Sequence, residues 1–295
     1  MQGLTGKVAV ITGAGRGIGA ATARRLSAEG ASVVVVDVDG DCAESVAKGL
    51  PGPAIAVSAD VSTEQGVAAY HQAGIARFGR LDLYHLNAGI GGQWGVGLAD
   101  IDMGDYDRVT AVNQRGVFLG MREALRTYRT QRTGGAVVTT ASTAGIIGGE
   151  FVSPYVGSKH AVIGLTMTGA VNGGPLGVRV NCVAPGLCLT RLTDVNESIV
   201  ADAAEARASQ IATVPLGRAG TPEDIAGVVA FLLSDDAAYV SGVTILVDGG
   251  SQVDHPRARA LSQLQKQRAP GGERDSNVLI AKSSMQPAPR APAAQ

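Results

Sequence analysis

A phenol and an ammonium stand four residues apart at Tyr155 and Lys159, with a hydroxyl at Ser142 thirteen residues before the phenol. On a helix the first two share one face. A lysine ammonium beside a phenol favours the phenolate, so a group of ordinary pKa about 10 can exchange a proton nearer neutral pH. Alone, such a pair is an ordinary solvated helix face. It gains meaning from Thr12-Gly13-Ala14-Gly15-Arg16-Gly17-Ile18-Gly19 near the start of the chain. There Gly13 permits a tight turn, Gly17 lets the backbone approach a pyrophosphate, and Gly19 lets a helix pack on a sheet, with the helix N-terminus facing the anion. Ile18 occupies the last place of the ordinary GxGxxG spacing counted from Gly13, so the loop is a variant of it.

Two acids extend the cradle. Asp37 ends a second apolar run eighteen residues past Gly19. A carboxylate there accepts hydrogen bonds from an adenosine ribose diol and repels a 2′-phosphate, which favours NAD over NADP. Arg16 pulls the other way, because an arginine in the loop can help hold that phosphate. Asp60-Val61 closes a third run, where an aspartate can face the adenine amino group.

These residues need a scaffold, and the chain supplies one rhythmically. Val8–Ile11, Ser32–Val36, Ile55–Ser58, Leu81–Leu86, Ala136–Thr140, Val178–Val183 and Val243–Val247 read as seven strands. They are mostly continuous in Val, Ile, Ala and Leu, as strands covered on both faces are. Helical segments fall between them, at about 17–29, 41–49, 63–78, 105–131, 155–171 and 222–234. The alternation predicts a single α/β Rossmann-type domain: a doubly wound, seven-stranded parallel sheet with helices on both faces, over residues 1–250. Thr221-Pro222-Glu223-Asp224 supplies an N-cap, a proline and acids for one helix start, and Ser153-Pro154 is read as doing the same for the helix of Tyr155. Residues 187–213, too long for a tight connection and mixed in polarity, read as a substrate lid. From Gln252 the chain holds five of its twelve prolines and no aromatic residue. A C-terminal tail, 251–295, is expected to be disordered.

Composition sets bounds. The 295 residues are 45% hydrophobic and 4% aromatic, with 41 glycines, which suits a Val/Ala/Gly-rich α/β protein. A net charge of −1 argues against nucleic acid as a partner. No apolar run approaches the length of a membrane span. Cys42, Cys182 and Cys188 form no CxxC pair and no disulfide framework. No metal is expected. With Lys7–Thr12 already reading as a strand, no signal peptide is expected, and the protein is expected to be soluble and cytoplasmic.

As a set, the motifs resemble those of the short-chain dehydrogenase/reductase family, of the type near 250 residues. Thr12-Gly13-x-x-x-Gly17-x-Gly19 is similar to its cofactor signature, Asn87-Ala88-Gly89 to its motif after the fourth strand, and Asn113, Ser142, Tyr155 and Lys159 to its catalytic tetrad. Pro185-Gly186 followed by Thr190 resembles its nicotinamide-side loop, and Asp248-Gly249-Gly250 its usual ending. The resemblance covers residues 4–250. It implies Tyr155 as general acid/base, Lys159 lowering its pKa and holding ribose hydroxyls, and Ser142 bonding the substrate oxygen. It further implies Asn113 keeping a kink and a proton-relay water, Asn87, Ala88 and Gly89 lining the cofactor, and Thr190 binding the carboxamide. It implies a homo-oligomer, a tetramer or a dimer. Leu86 departs from the pattern, where many members have a second asparagine. So does Asn172-Gly173-Gly174-Pro175, which puts oligomer packing in doubt, and the tail after Gly250 is longer than usual.

Three segments are expected to line a substrate pocket, offering Gln93, Trp94, Ile146, Glu150, Phe151, Leu187 and Leu192. They suggest a mainly apolar small molecule. The chain is therefore expected to be an NAD(H)-dependent oxidoreductase interconverting a secondary alcohol and a ketone. Alternatives are an NADP-dependent carbonyl or 3-oxoacyl reductase, and a dinucleotide-binding regulator without catalysis. The regulator would need none of Ser142, Tyr155 and Lys159.

Overall fold

Val8, Val10, Val34 and Val36 point to one side of a sheet, and Ala9, Ile11, Val33 and Val35 to the other, and both sides are buried. In the computed structural model, residues 1–149, 152–190 and 203–253 are described. The seven apolar runs form β1 (Val8–Thr12), β2 (Ser32–Asp37), β3 (Ala54–Ser58), β4 (Leu83–Leu86), β5 (Gly135–Thr140), β6 (Val178–Pro185) and β7 (Thr244–Val247). They pair in parallel in the order β3-β2-β1-β4-β5-β6-β7. The doubly wound expectation holds. So does its reason: an unbroken apolar strand is stable only with helices on both faces.

The helices are α1 (Gly17–Ala28), α2 (Gly40–Lys48), α3 (Glu64–Phe78), α4 (Met103–Thr110), α5 (Gly116–Gln131), α6 (Ser153–Gly173), α7 (Ala203–Ala212) and α8 (Pro222–Leu233). Side chains of α3, α5 and α6 fill one core with Tyr70, Met121, Tyr128 and Val162. Those of α1 and α8 fill the other with Leu26, Ile225, Val229 and Leu233. Thr221 caps α8 as expected, and Asp224 answers it to complete a capping box.

Strand order reverses between β1, whose chain continues to β2, and β4 on its other side, and the crevice of an open sheet lies there. The carboxyl ends of β1, β4, β5 and β6 therefore bring Thr12, Leu86, Thr140 and Pro185 to one edge.

Three readings change. The helix expected over 105–131 is interrupted by a π-helical segment, Ala111–Arg115. The helical period persists through it, so the hydrophobic pattern does not reveal it. Leu81 and Asp82 precede β4 instead of starting it, and the Asp82 carboxylate accepts the Val8 amide at 2.9 Å. Ser153 is the first residue of α6 and not its cap: Val152 precedes it, and the buried Ser153 hydroxyl has no partner among the described residues. The tail beyond Val253 and residues 191–202 of the expected lid lie outside the described residues.

Candidate active site

The helix α6 puts Tyr155 and Lys159 on one face, as their spacing requires, and then buries both. Tyr155 is 9% exposed and Lys159 3%. Lys159 Nζ donates to the Thr140 carbonyl at 2.8 Å and lies 5.5 Å from the centre of the Tyr155 ring. It is thus a cation beside the Tyr155 ring. Burial pushes the Tyr155 phenol up, opposed by a hydrogen bond from Ser142. Burial also pushes the Lys159 ammonium down, from 10.5 to about 8. Ser142 ends a strand connection and its own Oγ accepts the Ala144 amide at 3.1 Å.

Asn113 stands behind this pair, fully buried within the π segment. Its Oδ1 accepts the Ile90 amide at 2.8 Å, and its Nδ2 donates to the Ile90 carbonyl at 2.9 Å and to Ser158 Oγ at 3.0 Å. An extra residue in the turn rotates Asn113 inward, as π segments do at functional sites. Gly89 fits between: a Cβ there would stand 3.2 Å from Lys159 Nζ and 3.4 Å from Asn113 Oδ1.

A cavity of about 970 Å³ runs from Asp37 to Tyr155, lined by Gly13, Arg16, Gly17, Ile18, Asp60, Val61, Asn87, Ala88, Gly89, Ser142, Lys159, Pro185, Gly186 and Thr190 among others. The residues present fit a dinucleotide. Gly13 has φ +63°, and a Cβ on it would come within 2.9 Å of the Ala88 Cα. Gly19 lies under the loop, where a Cβ would collide with the Gly13 carbonyl at 2.2 Å, so its part is packing and not lining. Asp37 accepts the amides of Gly15 at 2.9 Å and Asp39 at 3.1 Å. Arg16, read as a candidate partner for a 2′-phosphate, is bound by the Asp39 carboxylate instead. The Cys42 amide and thiol, with Arg16, hold Asp39 below the ordinary carboxylate range. Asp60 turns its carboxylate to the Ser62 amide at 2.9 Å.

At the strand ends, Asn87 Nδ2 donates to the carbonyls of Thr12 and Gly13, at 3.0 and 3.3 Å. Thr12 Oγ1 accepts the amides of Asn87 and Ala88, at 2.9 and 3.1 Å. The glycine loop and the Asn87-Ala88-Gly89 segment are therefore one hydrogen-bonded unit.

Of the expected substrate residues, Trp94 lines the cavity, its ring 5.8 Å from that of Tyr155. Gln93, Ile146 and Leu187 do not line it. The Gln93 amide bonds Asp105 at 2.7 Å, Ile146 is exposed, and the Leu187 carbonyl accepts the Gly220 amide. Each lies in a loop, where spacing carries no facing rule. Glu150, Phe151 and Leu192 lie outside the described residues. Sequence reasoning passed over Val38, Asp39, Arg108, Thr140 and Cys188, all of which line the cavity. Asp39 was findable as a second acid two residues after Asp37.

Among the described residues no group of three or more His, Cys, Asp or Glu is placed to hold a metal ion, and no helix is long and apolar enough to cross a membrane.

A family model described as Enoyl-(Acyl carrier protein) reductase matches residues 13–252. Levodione reductase of Leifsonia aquatica is 41% identical over 253 residues, covering 83% of this chain and 94% of that protein. A crystal structure of levodione reductase superposes with a TM-score of 0.78 at 39% identity, over 85% of this chain and 99% of that one. Cyclohexanol dehydrogenase of Acinetobacter sp. (strain SE19) is 40% identical over 246 residues, 82% of this chain and 94% of that protein. A crystal structure of 3-ketoacyl-(acyl-carrier-protein) reductase from Brucella melitensis complexed with NADH matches with a TM-score of 0.77 at 33% identity, over 84% of this chain and 99% of that one. The chain belongs to the short-chain dehydrogenase/reductase family.

The buried ammonium has a consequence for stability. With Lys159 at about 8 in the folded protein against an ordinary 10.5, the unfolded chain holds a proton between those values that the folded protein releases. Stability from this group therefore rises with pH across that window, and below it the burial costs on the order of 3 kcal/mol. Lys159→Met is expected to keep or raise the melting temperature at pH 7, with its advantage shrinking towards pH 10. Turnover is expected to be lost. Thermal unfolding at both pH values checks this, and a large fall in melting temperature at pH 7 contradicts it.

Proposed function

We propose that this protein interconverts a secondary alcohol and a ketone, with NAD(H) as its cofactor and Tyr155 as the general acid/base. The observation that carries the reading is one cavity holding a glycine phosphate loop and ribose-side acid at one end and Ser142 with the buried Tyr155 and Lys159 at the other. The family membership and the alcohol and ketone chemistry named for levodione reductase and cyclohexanol dehydrogenase support it.

The dinucleotide supplies the hydride. The chain's own residues do the rest. Gly13, Gly17 and Ile18 hold the pyrophosphate against the start of α1, and Asp37, Asp60 and Val61 receive the adenosine. Asn87, Ala88, Gly89, Pro185, Gly186 and Thr190 wall the nicotinamide side, with Lys159 on its ribose. Ser142 hydrogen-bonds the substrate oxygen. The Tyr155 hydroxyl gives that oxygen its proton in reduction and takes it back in oxidation. Because burial raises this phenol, the protonated form is the resting one, so reduction is favoured at lower pH and oxidation at higher pH. Asn113 holds the loop at Ile90 and α6 in register for the proton's path. Trp94 gives an apolar substrate a flat wall beside Tyr155.

NAD is favoured because Asp37 and Asp39 place two carboxylates where a 2′-phosphate would go, and Asp39 occupies Arg16. Phe118 on α5 and Met167 and Val171 on α6 are exposed apolar side chains on two neighbouring helices, which suits a homo-oligomer, a tetramer or a dimer. The three free cysteines fit a cytoplasmic setting.

Tyr155→Phe is expected to retain NADH binding and to lose turnover by a factor on the order of 10² to 10⁴, the contribution of a positioned proton-transfer group. Steady-state kinetics with a panel of cyclic ketones and alcohols checks this; undiminished activity removes Tyr155 from the chemistry.

For the cofactor, the wild type is expected to show a catalytic efficiency with NAD roughly tenfold or more above that with NADP, and Asp37→Ala to narrow the gap by relieving like-charge repulsion. A wild type that prefers NADP reverses this reading.

A further inference from the structure

The fourth strand carries a residue that packing does not explain. His85 is completely buried in β4, in register with Ile11 of β1 and Val138 of β5. A leucine or valine would suit that place, and a polar ring there costs stability unless it is bonded. Its Nδ1 has no partner among the described residues. Its Nε2 lies 2.8 Å from Thr140 Oγ1.

The direction of that bond follows from its neighbours. Thr140 Oγ1 donates its single proton to Asn87 Oδ1 at 3.1 Å, and a carboxamide oxygen can only accept. The Thr140 oxygen is therefore an acceptor towards the ring, and His85 carries its proton on Nε2. Burial keeps the ring neutral, with a pKa near 3. The chain of donation then runs from His85 to Thr140 to Asn87. From there it runs through Asn87 Nδ2 to the carbonyls of Thr12 and Gly13. Thr140 also gives its own carbonyl to Lys159 Nζ.

We propose that His85 is a positioning residue: it sets the Thr140 hydroxyl, and through it the Asn87 carboxamide, that together fix the nicotinamide half of the dinucleotide site. This rests on reading the cavity as a dinucleotide site. Without the imidazole proton, the Thr140 hydroxyl is free to turn from Asn87, and the Asn87 carboxamide loses the donor that holds it against the glycine loop. The adenosine half, held by Asp37 and its neighbours, makes none of these bonds.

Calorimetric titration with NADH and with adenosine, on wild type, His85→Leu, Thr140→Val, the double variant and His85→Gln, tests this. Each single apolar variant is expected to weaken NADH roughly five- to tenfold, the worth of about one hydrogen bond, and to change adenosine affinity less than about twofold. The double variant is expected to be no worse than Thr140→Val, since His85 acts through that hydroxyl. His85→Gln, whose amide nitrogen reaches the place of Nε2, is expected to restore most of the loss. If His85→Leu does not fold, by its thermal transition, the comparison of Thr140→Val with Thr140→Ser and His85→Gln carries the test. Unchanged NADH affinity, equal loss for both ligands, or losses that multiply in the double variant overturn the proposal. A wild type that binds neither ligand overturns the dinucleotide reading, and this proposal with it. Wild-type binding that the variants leave unmoved overturns this proposal alone.

Discussion

An ammonium taken out of water is the constraint on which the site depends. Removing Lys159 from solvent has a large desolvation cost that only good bonding offsets, and its bond is to the carbonyl at the end of β5. That carbonyl is in place only if β5 runs parallel beside β4 and β6, and α6 reaches it only if its first turn clears the loop after Ser142. Gly89 leaves room for the ammonium, since a Cβ there would press on it at 3.2 Å, and Asn113 turns inward to hold the neighbouring loop and helix. The depressed lysine and the raised phenol then share one cause, burial, and that burial also shelters a transferring hydride and proton from water. The site is costly in stability where it is useful in chemistry.

The sheet turns this local constraint into a site of two halves. Parallel strands end on one edge, and the reversal of order beside β1 opens a crevice there. The glycine loop after β1 and the Asn87 segment after β4 are tied by Thr12 and Asn87 into one surface. Movement of either strand end would move both the pyrophosphate cradle and the wall near Tyr155. The two buried cores on the sheet's faces resist such movement.

Much of this was legible in the sequence. Continuous apolar strands implied a covered parallel sheet, and the β1 glycines, Asp37 and the Tyr155–Lys159 spacing placed a cradle and a proton-transfer pair at its edge. What spacing gives is which side chains share a face. It does not give depth, and the burial that raises the phenol and lowers the ammonium follows only from how α6 packs. The π segment at Ala111–Arg115 is invisible to the apolar pattern, because one extra residue in a turn leaves that pattern nearly intact, and only the family resemblance implied a kink at Asn113. The pairing of Arg16 with Asp39 depends on how α2 begins, and the bond from His85 to Thr140 on a contact between strands far apart in sequence. Ile146 and Leu187 were misplaced because loop residues follow no periodic facing rule.

The central claim is that hydride from a dinucleotide and a proton from Tyr155 meet at one carbonyl in this cavity. The most direct measurement is reduction of a ketone the protein turns over, using NADH deuterated at the transferring position of nicotinamide C4, with mass-spectrometric analysis of the alcohol. The account predicts one deuterium on the carbinol carbon for each dinucleotide oxidised. An alcohol carrying no deuterium there would contradict it.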